Sequence, residues 1–558
     1  MTWLELGSDA AVTRANPSNS TYSDAVHTVT SSSTNRVSAL DQSATVRWAA
    51  LSGVISALLA LAVAEVVSLV LAGRGNPVLA VGSLIVDIVP PGFKTVIIAL
   101  FDTADKLVLF ICLGAVVVVL AAVAGTLELR RRFAGVPVFA LVGIIALIAV
   151  LTRADASFLD AIPTVIGVLA GIRLLQVLIA RLERWREATV PGPGSGSRTG
   201  SGTVYDRRRF LRLALLMGAT SVVVGAVARS VSAASAAVQQ VRGSIRLPKA
   251  SAPAAALPAG AQLSVPGITT FATPNADFYR IDTALQVPSI DPGGWKLRIT
   301  GMVERNIEIT YDELLALPLE EHWVTLACVS NEVGGGLVGN ALWLGYPIRK
   351  LLERAKPIGG ADMVLSRSQD GFTAGTPLAV LQDERTDAVL AVGMNGEPLP
   401  LDHGFPVRMV VPGLYGYVSA TKWVVELKVT TFAKDMGYWT PRGWSALGPV
   451  KVSSQIDTPT REVQAGTIAV AGVAWAQHTG ISKVEVRVDD GDWQQATLAR
   501  AVSADTWLQW SYAWEATSGD YEITVRATDA DGLVQTADRA PVAPDGATGL
   551  HRVRVSVL

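Results

Sequence analysis

The sequence has few cysteines, few histidines and few charged residues, and these shortages narrow the classes of protein to which it can belong. Only two of the 558 residues are cysteines, so there is no disulfide framework and no paired-cysteine metal site. None of the five histidines lies in an apolar segment, so a membrane haem held by two histidines cannot form within this chain. The formal net charge of -1, with no basic stripe, gives no reason to expect a nucleic-acid partner.

Charged residues make up 17% of the chain, against roughly 25% in soluble proteins, which predicts that part of the chain lies in lipid. Segments of sufficient length and apolarity to cross the ~30 Å hydrocarbon core are predicted at residues 48–71, 106–126, 136–151, 161–180 and 210–228. A sixth apolar segment, 78–101, is interrupted by Pro90-Pro91-Gly92. We interpret it as a re-entrant pair of half-helices, with six full spans as the competing interpretation.

Arginine placement predicts the orientation of these spans. The arginines at 130–132 and those between 181 and 209 mark two cytoplasmic loops by the positive-inside rule, which places the chain after residue 228 outside the cytoplasm. The segment Arg207-Arg208-Arg209-Phe210-Leu211-Arg212 also resembles a twin-arginine export signal, a plain membrane anchor being the alternative. The predicted location is therefore a multi-pass cell-membrane protein with an extracytoplasmic C-terminal part.

Composition and periodicity divide the chain into five regions. These are a disordered polar tail (1–46), a transmembrane domain (47–231), an Ala/Pro-rich linker (232–270), a mixed α+β domain (271–448) and a domain of short alternating strands (449–558). The last pattern predicts an immunoglobulin-like β-sandwich. Within the mixed domain, strands are predicted at 295–301, 407–411 and 423–429, and a capped helix at 310–317.

Two residue groups in the mixed domain are candidates for chemistry. Cys328 follows a predicted strand and opens a glycine-rich loop with Ser330 and Asn331. A thiolate there suits a soft metal, whereas a buried, inert cysteine is the alternative. The second group lies near a glycine turn and predicts a site that binds phosphate. The alternative is that its cations lie at strand ends and are simply solvated. The group comprises His403, Arg408 and Lys422.

Taken together, these motifs resemble the sulfite oxidase family of molybdenum enzymes, in a membrane-anchored bacterial, actinobacterial-type branch. Three segments occur in the family's order and approximate spacing: Cys328-Val329-Ser330-Asn331, residues 339–345, and His403-Gly404-Phe405-Pro406-Val407-Arg408. The resemblance covers residues 271–558, and the membrane part lies outside it. It implies a molybdenum–molybdopterin cofactor and an α+β oxidoreductase domain, followed by a C-terminal domain of the type often used for homodimerisation.

The resemblance also implies roles for particular residues. Cys328 would be the protein ligand to molybdenum, and His403, Arg408 and Lys422 would hold the pterin phosphate. The remaining cofactor-binding residues would be Asn275, Phe278, Tyr279, Ser330, Asn331, Gly416 and Ser419.

Departures from the family pattern leave the substrate open. Sulfite-oxidising members have an Arg and a His where this chain has Pro274 and Ala276 around Asn275, which argues against sulfite. Arg442 is the candidate catalytic residue for binding an anionic substrate. The expected reaction is two-electron oxygen-atom transfer on a small molecule, with an external cytochrome or quinone system as electron carrier. Reduction of a sulfoxide such as oxidised methionine is the alternative, and a non-catalytic surface-binding protein is the rival from another class.

Overall fold

The computed structural model describes residues 24–71, 76–89, 105–153, 156–189, 208–220 and 233–558. The chain forms two compact units. The helical unit contains the described residues within Met1–Val78, Phe110–Ile148 and Phe158–Val227, and the mixed unit contains those within Leu79–Leu109, Ala149–Ser157 and Ala228–Leu558. Short segments of the apolar N-terminal third therefore belong to the mixed unit.

The apolar N-terminal third is helical. Its helices are Asp24–Val70, Pro77–Ile88, Asp105–Arg130, Val136–Leu151, Ile162–Thr189 and residues 208–220. Within the described ranges, three stretches are long and apolar enough to cross a membrane, namely Ser43–Ser68, Lys106–Arg130 and Phe158–Arg186. They coincide with the first, second and fourth predicted spans.

The other predicted spans differ from these three. Val136–Leu151 has 16 residues, about 24 Å at 1.5 Å per residue, which is shorter than the hydrocarbon core. The predicted span 210–228 is described as helix only to residue 220. In the predicted re-entrant segment, the helix Pro77–Ile88 ends before Pro90-Pro91-Gly92, because the residue before a proline disfavours helix. The second half of that segment lies outside the described residues.

Small residues allow two helices of the helical unit to pack closely. A Cβ on Gly53 would lie 1.9 Å from the carbonyl oxygen of Ala121, and one on Gly125 would lie 2.0 Å from that of Ala49. Any larger side chain would therefore separate the helices Asp24–Val70 and Asp105–Arg130. Helices in lipid usually associate through close backbone approach at small residues, because the hydrophobic effect does not drive apolar side chains together when the surrounding lipid is equally apolar.

In two connecting regions the structure has helix where the sequence predicts a polar tail and a linker. The first helix begins at Asp24, inside the predicted polar tail. Once a helix has formed, each added hydrogen bond requires the backbone of only one more residue to be fixed, so the helix can extend into polar sequence. Residues 1–23 lie outside the described residues. The predicted linker contains the helix Ala233–Ser244, on which Val238 is buried, and Ser251 donates its N–H to the carbonyl of Leu319 at 2.7 Å. Its described part, from residue 233, therefore packs along the mixed unit instead of hanging free.

The central part of the mixed unit contains two five-stranded sheets. The first has the order β2-β1-β10-β5-β6, with β1 and β10 parallel, and the second the order β3-β4-β7-β8, with β9 paired to β7. The strands are β1 (Lys296–Gly301), β2 (Ile307–Thr310), β3 (Glu320–Ala327), β4 (Val338–Pro347), β5 (Met363–Ser368), β6 (Thr373–Pro377), β7 (Val389–Met394), β8 (Glu397–Pro398), β9 (Arg408–Val410) and β10 (Val424–Thr430). The short helices are Tyr311–Leu315, Ile348–Ala355, Leu378–Gln382 and Gly416–Ser419.

The predicted local elements of this part are confirmed. Strands β1, β9 and β10 lie where the sequence predicts them. The helix Tyr311–Leu315 begins after Thr310, whose side chain accepts from the N–H of Glu313 while the Glu313 carboxylate accepts from the N–H of Thr310. This reciprocal capping satisfies two N–H groups that a helix start otherwise leaves unpaired.

The C-terminal part is formed by two four-stranded antiparallel sheets that share one apolar core around Trp510, Val486 and Val525. Their orders are β11-β12-β16-β15 and β14-β13-β17-β18. The strands are β11 (Ser453–Thr458), β12 (Gly466–Trp475), β13 (Ile481–Val488), β14 (Gln494–Gln495), β15 (Thr497–Leu498), β16 (Leu508–Ala516), β17 (Gly519–Asp529) and β18 (His551–Val557). The predicted β-rich domain is confirmed, while its immunoglobulin-like class and its role in dimerisation stay predictions.

Candidate functional site

A cavity of about 140 Å³ in the mixed unit brings most of the candidate residues together. We call it the Cys328 cavity. Eight of the eleven predicted cofactor-binding residues line it, namely Phe278, Tyr279, Cys328, Ser330, His403, Arg408, Gly416 and Lys422. These residues come from positions up to 144 apart in the chain, so their convergence is a property of the fold and not of local sequence.

Cys328 is the first residue after β3, where the chain leaves the sheet. Its N–H donates to the carbonyl of Leu337 at 2.9 Å, and its carbonyl accepts from the N–H of Asn331 at 3.0 Å, which closes the loop. The side chain is buried, and burial raises the pKa of the Cys328 thiol, although hydrogen bonds from Ser330 oppose this rise. A neighbouring positive charge or a metal would therefore be needed to hold Cys328 as a thiolate.

Arg408 is a buried cation with no carboxylate beside it among the described residues. Its guanidinium donates to three backbone carbonyls, those of His403 (3.2 Å), Met409 (3.3 Å) and Ala420 (3.5 Å). Burial lowers the pKa of Arg408 to about 10, so it remains charged at neutral pH. Burying an unpaired charge costs several kcal/mol, so this position calls for an anion that the described residues do not supply.

Lys422 and His403 stand beside Arg408 on the cavity wall. Lys422 donates to a carboxylate oxygen of Asp282 at 2.7 Å and to the carbonyl of Asp402 at 3.0 Å. Burial lowers the pKa of Lys422 to about 8, although Asp282 opposes the shift. Burial and the charge of Arg408 lower the pKa of His403 to about 4, so its ring is neutral at pH 7.

The three other predicted cofactor residues do not line the cavity and instead hold its walls in place. Asn275 accepts at its backbone carbonyl from His403 Nε2 at 3.0 Å, if that nitrogen carries the proton. Asn331 accepts at its side chain from the N–H of Leu337 at 2.8 Å, within the Cys328 loop. Ser419 is fully buried and donates to the carbonyl of Tyr415 at 3.0 Å.

Arg442, the predicted catalytic residue, also lies outside the cavity lining. Its guanidinium donates to the carbonyl of Tyr438 at 2.6 Å, stacks 3.7 Å from the Tyr438 ring centroid and contacts Asp87 at 3.3 Å. Asp87 lies in the apolar helix Pro77–Ile88 and also pairs with Arg153 at 2.8 Å. Arg442 is thus paired with a carboxylate, in contrast to Arg408.

Sequence reasoning missed several residues of the cavity. Asp282 is the most consequential, because its nearly buried carboxylate neutralises Lys422 from a position 140 residues away. No local motif marks it. An aromatic side of the lining was also missed, formed by Phe372, Tyr417, Trp423, Trp439 and Trp444. The high density of tryptophan and tyrosine between 415 and 444 is the one signal that pointed there.

Among the described residues, no three His, Cys, Asp or Glu side chains converge on a point that could hold a metal. Residues 284–439 match the family described as oxidoreductase molybdopterin binding domain. The chain carries a molybdopterin-binding oxidoreductase domain. Its cofactor is molybdenum–molybdopterin.

Curated relatives share this domain at moderate identity. The chain is 29% identical over 272 residues to mitochondrial sulfite oxidase of Mus musculus (41% of this chain, 49% of the relative) and 30% identical over 283 residues to that of Drosophila melanogaster (42% and 48%). It is 28% identical over 261 residues to nitrate reductase [NADH] 2 of Nicotiana tabacum (37% and 29%). The chain thus spans about half or less of the length of these relatives.

One solved structure is similar to part of this chain. The sulfane dehydrogenase SoxCD from Paracoccus pantotrophus aligns with a TM-score of 0.45 at 21% identity, over 51% of this chain and 81% of that chain.

Proposed function

We propose that this chain is a membrane-anchored oxidoreductase in which Cys328 binds the molybdenum and Arg408, Lys422 and His403 hold the pterin phosphate. The observation that carries the proposal is the presence, in one cavity, of a buried thiol and a buried cation that has no carboxylate partner in the described part of the chain. A phosphate supplies the missing negative charge, and a planar guanidinium binds two phosphate oxygens at once. His403 is neutral at pH 7 and donates its Nε2–H to the carbonyl of Asn275, so it lines the phosphate position without adding charge.

Membrane anchoring is supported by the three long apolar helices. The two arginine-rich loops favour an arrangement in which the cavity lies on the extracytoplasmic side. The twin-arginine-like segment before residue 213 is compatible with export of a domain that receives its cofactor in the cytoplasm.

The proposed reaction is two-electron oxygen-atom transfer, the chemistry that the bound cofactor supplies. Arg442 is paired with Asp87, and the Asp370 carboxylate lines the cavity, which favours a neutral substrate over a small anion. A sulfoxide fits this description. Its reduction consumes two electrons and two protons, breaks the S–O bond and yields a thioether and water, with a cytochrome or quinone system as the electron donor.

Metal and pterin analysis tests the proposal. Wild-type protein, purified in detergent from a molybdenum-replete host, is expected to contain about one molybdenum and one pterin per chain. Cys328→Ser is expected to keep the pterin, because Arg408 and Lys422 still hold it, but to lose the sulfur ligand and the activity. Wild-type protein without metal and pterin would contradict the enzyme proposal and favour a non-catalytic surface-binding protein.

A further inference from the structure

Lys106, in the first turn of the apolar helix Asp105–Arg130, reaches the wall of the Cys328 cavity. Its ammonium donates to a carboxylate oxygen of Asp282 at 3.0 Å and to the carbonyl of Ala284 at 2.6 Å. Asp282 lines the cavity, and its other carboxylate oxygen accepts from Lys422 at 2.7 Å. A residue of a candidate membrane span thus contacts a cavity residue that is bonded to a proposed phosphate ligand.

Asp282 is the shared centre of this arrangement. Its side chain is only 4% exposed and is contacted by Lys106, Lys422 and Arg280, the last at 3.0 Å. Burial alone would raise the pKa of Asp282, but the charges of Lys422 and Lys106 outweigh burial and hold the pKa well below its usual range. The carboxylate is therefore ionised, and it competes with any bound phosphate for the charge of Lys422.

The charges of the connected cluster match those of a phosphate monoester. Its cations are Lys106, Arg280, Lys422 and Arg408, and its carboxylates are Asp282 and Asp402, which Arg280 approaches at 3.6 Å. The cluster has two more cations than carboxylates, and a phosphate monoester carries about -2 at pH 7. Without Lys106 the excess is a single positive charge, and Asp282 binds Lys422 more strongly.

Lys422 also keeps a donor for a ligand. An ammonium group has three N–H donors, and the described residues provide hydrogen-bond acceptors for two of those of Lys422, on Asp282 and Asp402. The ammonium also lies 4.6 Å from the centroid of the Trp423 ring, a cation–π contact that does not use up its positive charge. Because Lys106 and Arg280 share the negative charge of Asp282, the third donor and much of the charge of Lys422 can be shared with an anion in the cavity.

We propose that Lys106 is a positioning residue for the molybdopterin phosphate, which neutralises Asp282 and thereby leaves Lys422 free to bind the anion. The proposal rests on the proposed function. Removal of the charge in Lys106→Met is expected to speed the loss of pterin from detergent-purified full-length protein roughly tenfold, equivalent to ~1.4 kcal/mol. Lys106→Arg keeps the charge and is expected to retain pterin nearly as wild type does.

The decisive comparison is a rescue. Asp282→Asn combined with Lys106→Met restores the excess of two positive charges, so the double variant is expected to retain more pterin than Lys106→Met alone. Arg153→Met is the matched control, because it removes a different cation bonded to an apolar helix, through Asp87, and leaves Asp282 untouched. Pterin is measured as its fluorescent oxidation product, and molybdenum by mass spectrometry, after gel filtration at increasing salt.

The outcomes separate this proposal from the proposed function. Wild-type protein that contains no pterin contradicts the proposed function itself. Pterin-loaded wild type with equal retention by Lys106→Met at all salt concentrations overturns the role of Lys106 alone. The charge argument is also overturned if Lys106→Met loses pterin and Asp282→Asn does not reverse that loss. An equal loss of pterin in Arg153→Met overturns it too, since it indicates general loosening of the contact with the apolar helices.

Discussion

The guanidinium carbon of Arg408 lies 5.1 Å from the ring centroid of Trp343, and both side chains are buried. This cation–π contact contributes on the order of 2 kcal/mol in a desolvated site. It offsets only part of the cost of burying the charge, because the hydrogen-bond partners of Arg408 are all uncharged carbonyls. Arg408 is therefore expected to lower the folding stability of the cofactor-free domain and to raise that of the domain with bound cofactor.

Arg408→Met should separate these two effects. The variant is expected to purify with at most a tenth of the wild-type pterin content, because it lacks the buried cation that binds the phosphate. Protein produced in a host unable to make the cofactor is expected to be more stable as Arg408→Met than as wild type, by about 1 kcal/mol or more. Thermal unfolding of both cofactor-free proteins checks this. If the empty variant melts below empty wild type, Arg408 has a structural role instead.

His403 gives the cavity domain a predictable pH dependence. Its pKa is about 4 in the folded protein and near 6.5 in the unfolded chain, so between these values the unfolded chain binds more protons. Folding stability is therefore lost as the pH falls, by about 2 kcal/mol between pH 7 and pH 5. His403→Gln removes this contribution and should lose less stability than wild type over the same interval. If the thermal-unfolding midpoints of wild type and His403→Gln decreased equally between pH 7 and pH 5, His403 would not be the source of this pH dependence.

The sequence predicted those parts of the site that local patterns encode. Cys328 at a glycine-rich loop and the run from His403 to Arg408 are contiguous signals, and the structure brings them to one cavity. Asp282 and Lys106 were not predictable, because their meaning depends on contacts across 140 and 176 residues. Arg442 was placed by its position in a family pattern, yet its orientation is set by Asp87, a residue of the apolar region that no local pattern connects to it.

The loop after Cys328 depends on a close approach at Gly334. This glycine has φ +78°, and a Cβ there would lie 2.2 Å from the imidazole ring of His551 in β18. Gly334→Ala is therefore expected to shift the Cys328 loop and to lower the molybdenum content several-fold. His551→Ala in the same chain removes the clash but not the backbone strain, and should restore the metal content in part. Gly336→Ala, which meets no atom within 4 Å, serves as the control.

Trp507 joins the C-terminal sheets to the strand that presents Cys328. Its indole N–H donates to the carbonyl of Phe271 at 2.9 Å, and its backbone N–H donates to the hydroxyl of Thr325, three residues before Cys328, at 2.8 Å. Because Trp507 is 1% exposed, Trp507→Ala is expected to cost about 3–5 kcal/mol. Trp507→Phe keeps most of the packing and removes one hydrogen bond to the Phe271 carbonyl, which still accepts from Asn340 Nδ2 at 2.8 Å, so about 0.5–1.5 kcal/mol is expected.

The two Trp507 variants also test whether the molybdopterin domain and the C-terminal sheets unfold together. Release of pterin reports unfolding of the cavity, and proteolysis after residue 449 reports unfolding of the C-terminal part. In wild type both signals are expected at one temperature, because Trp507, Phe271 and Thr325 belong to a shared buried contact. In Trp507→Ala the temperatures of both transitions should fall together by several degrees. A lower temperature for proteolysis alone would show that the cavity does not depend on the C-terminal sheets.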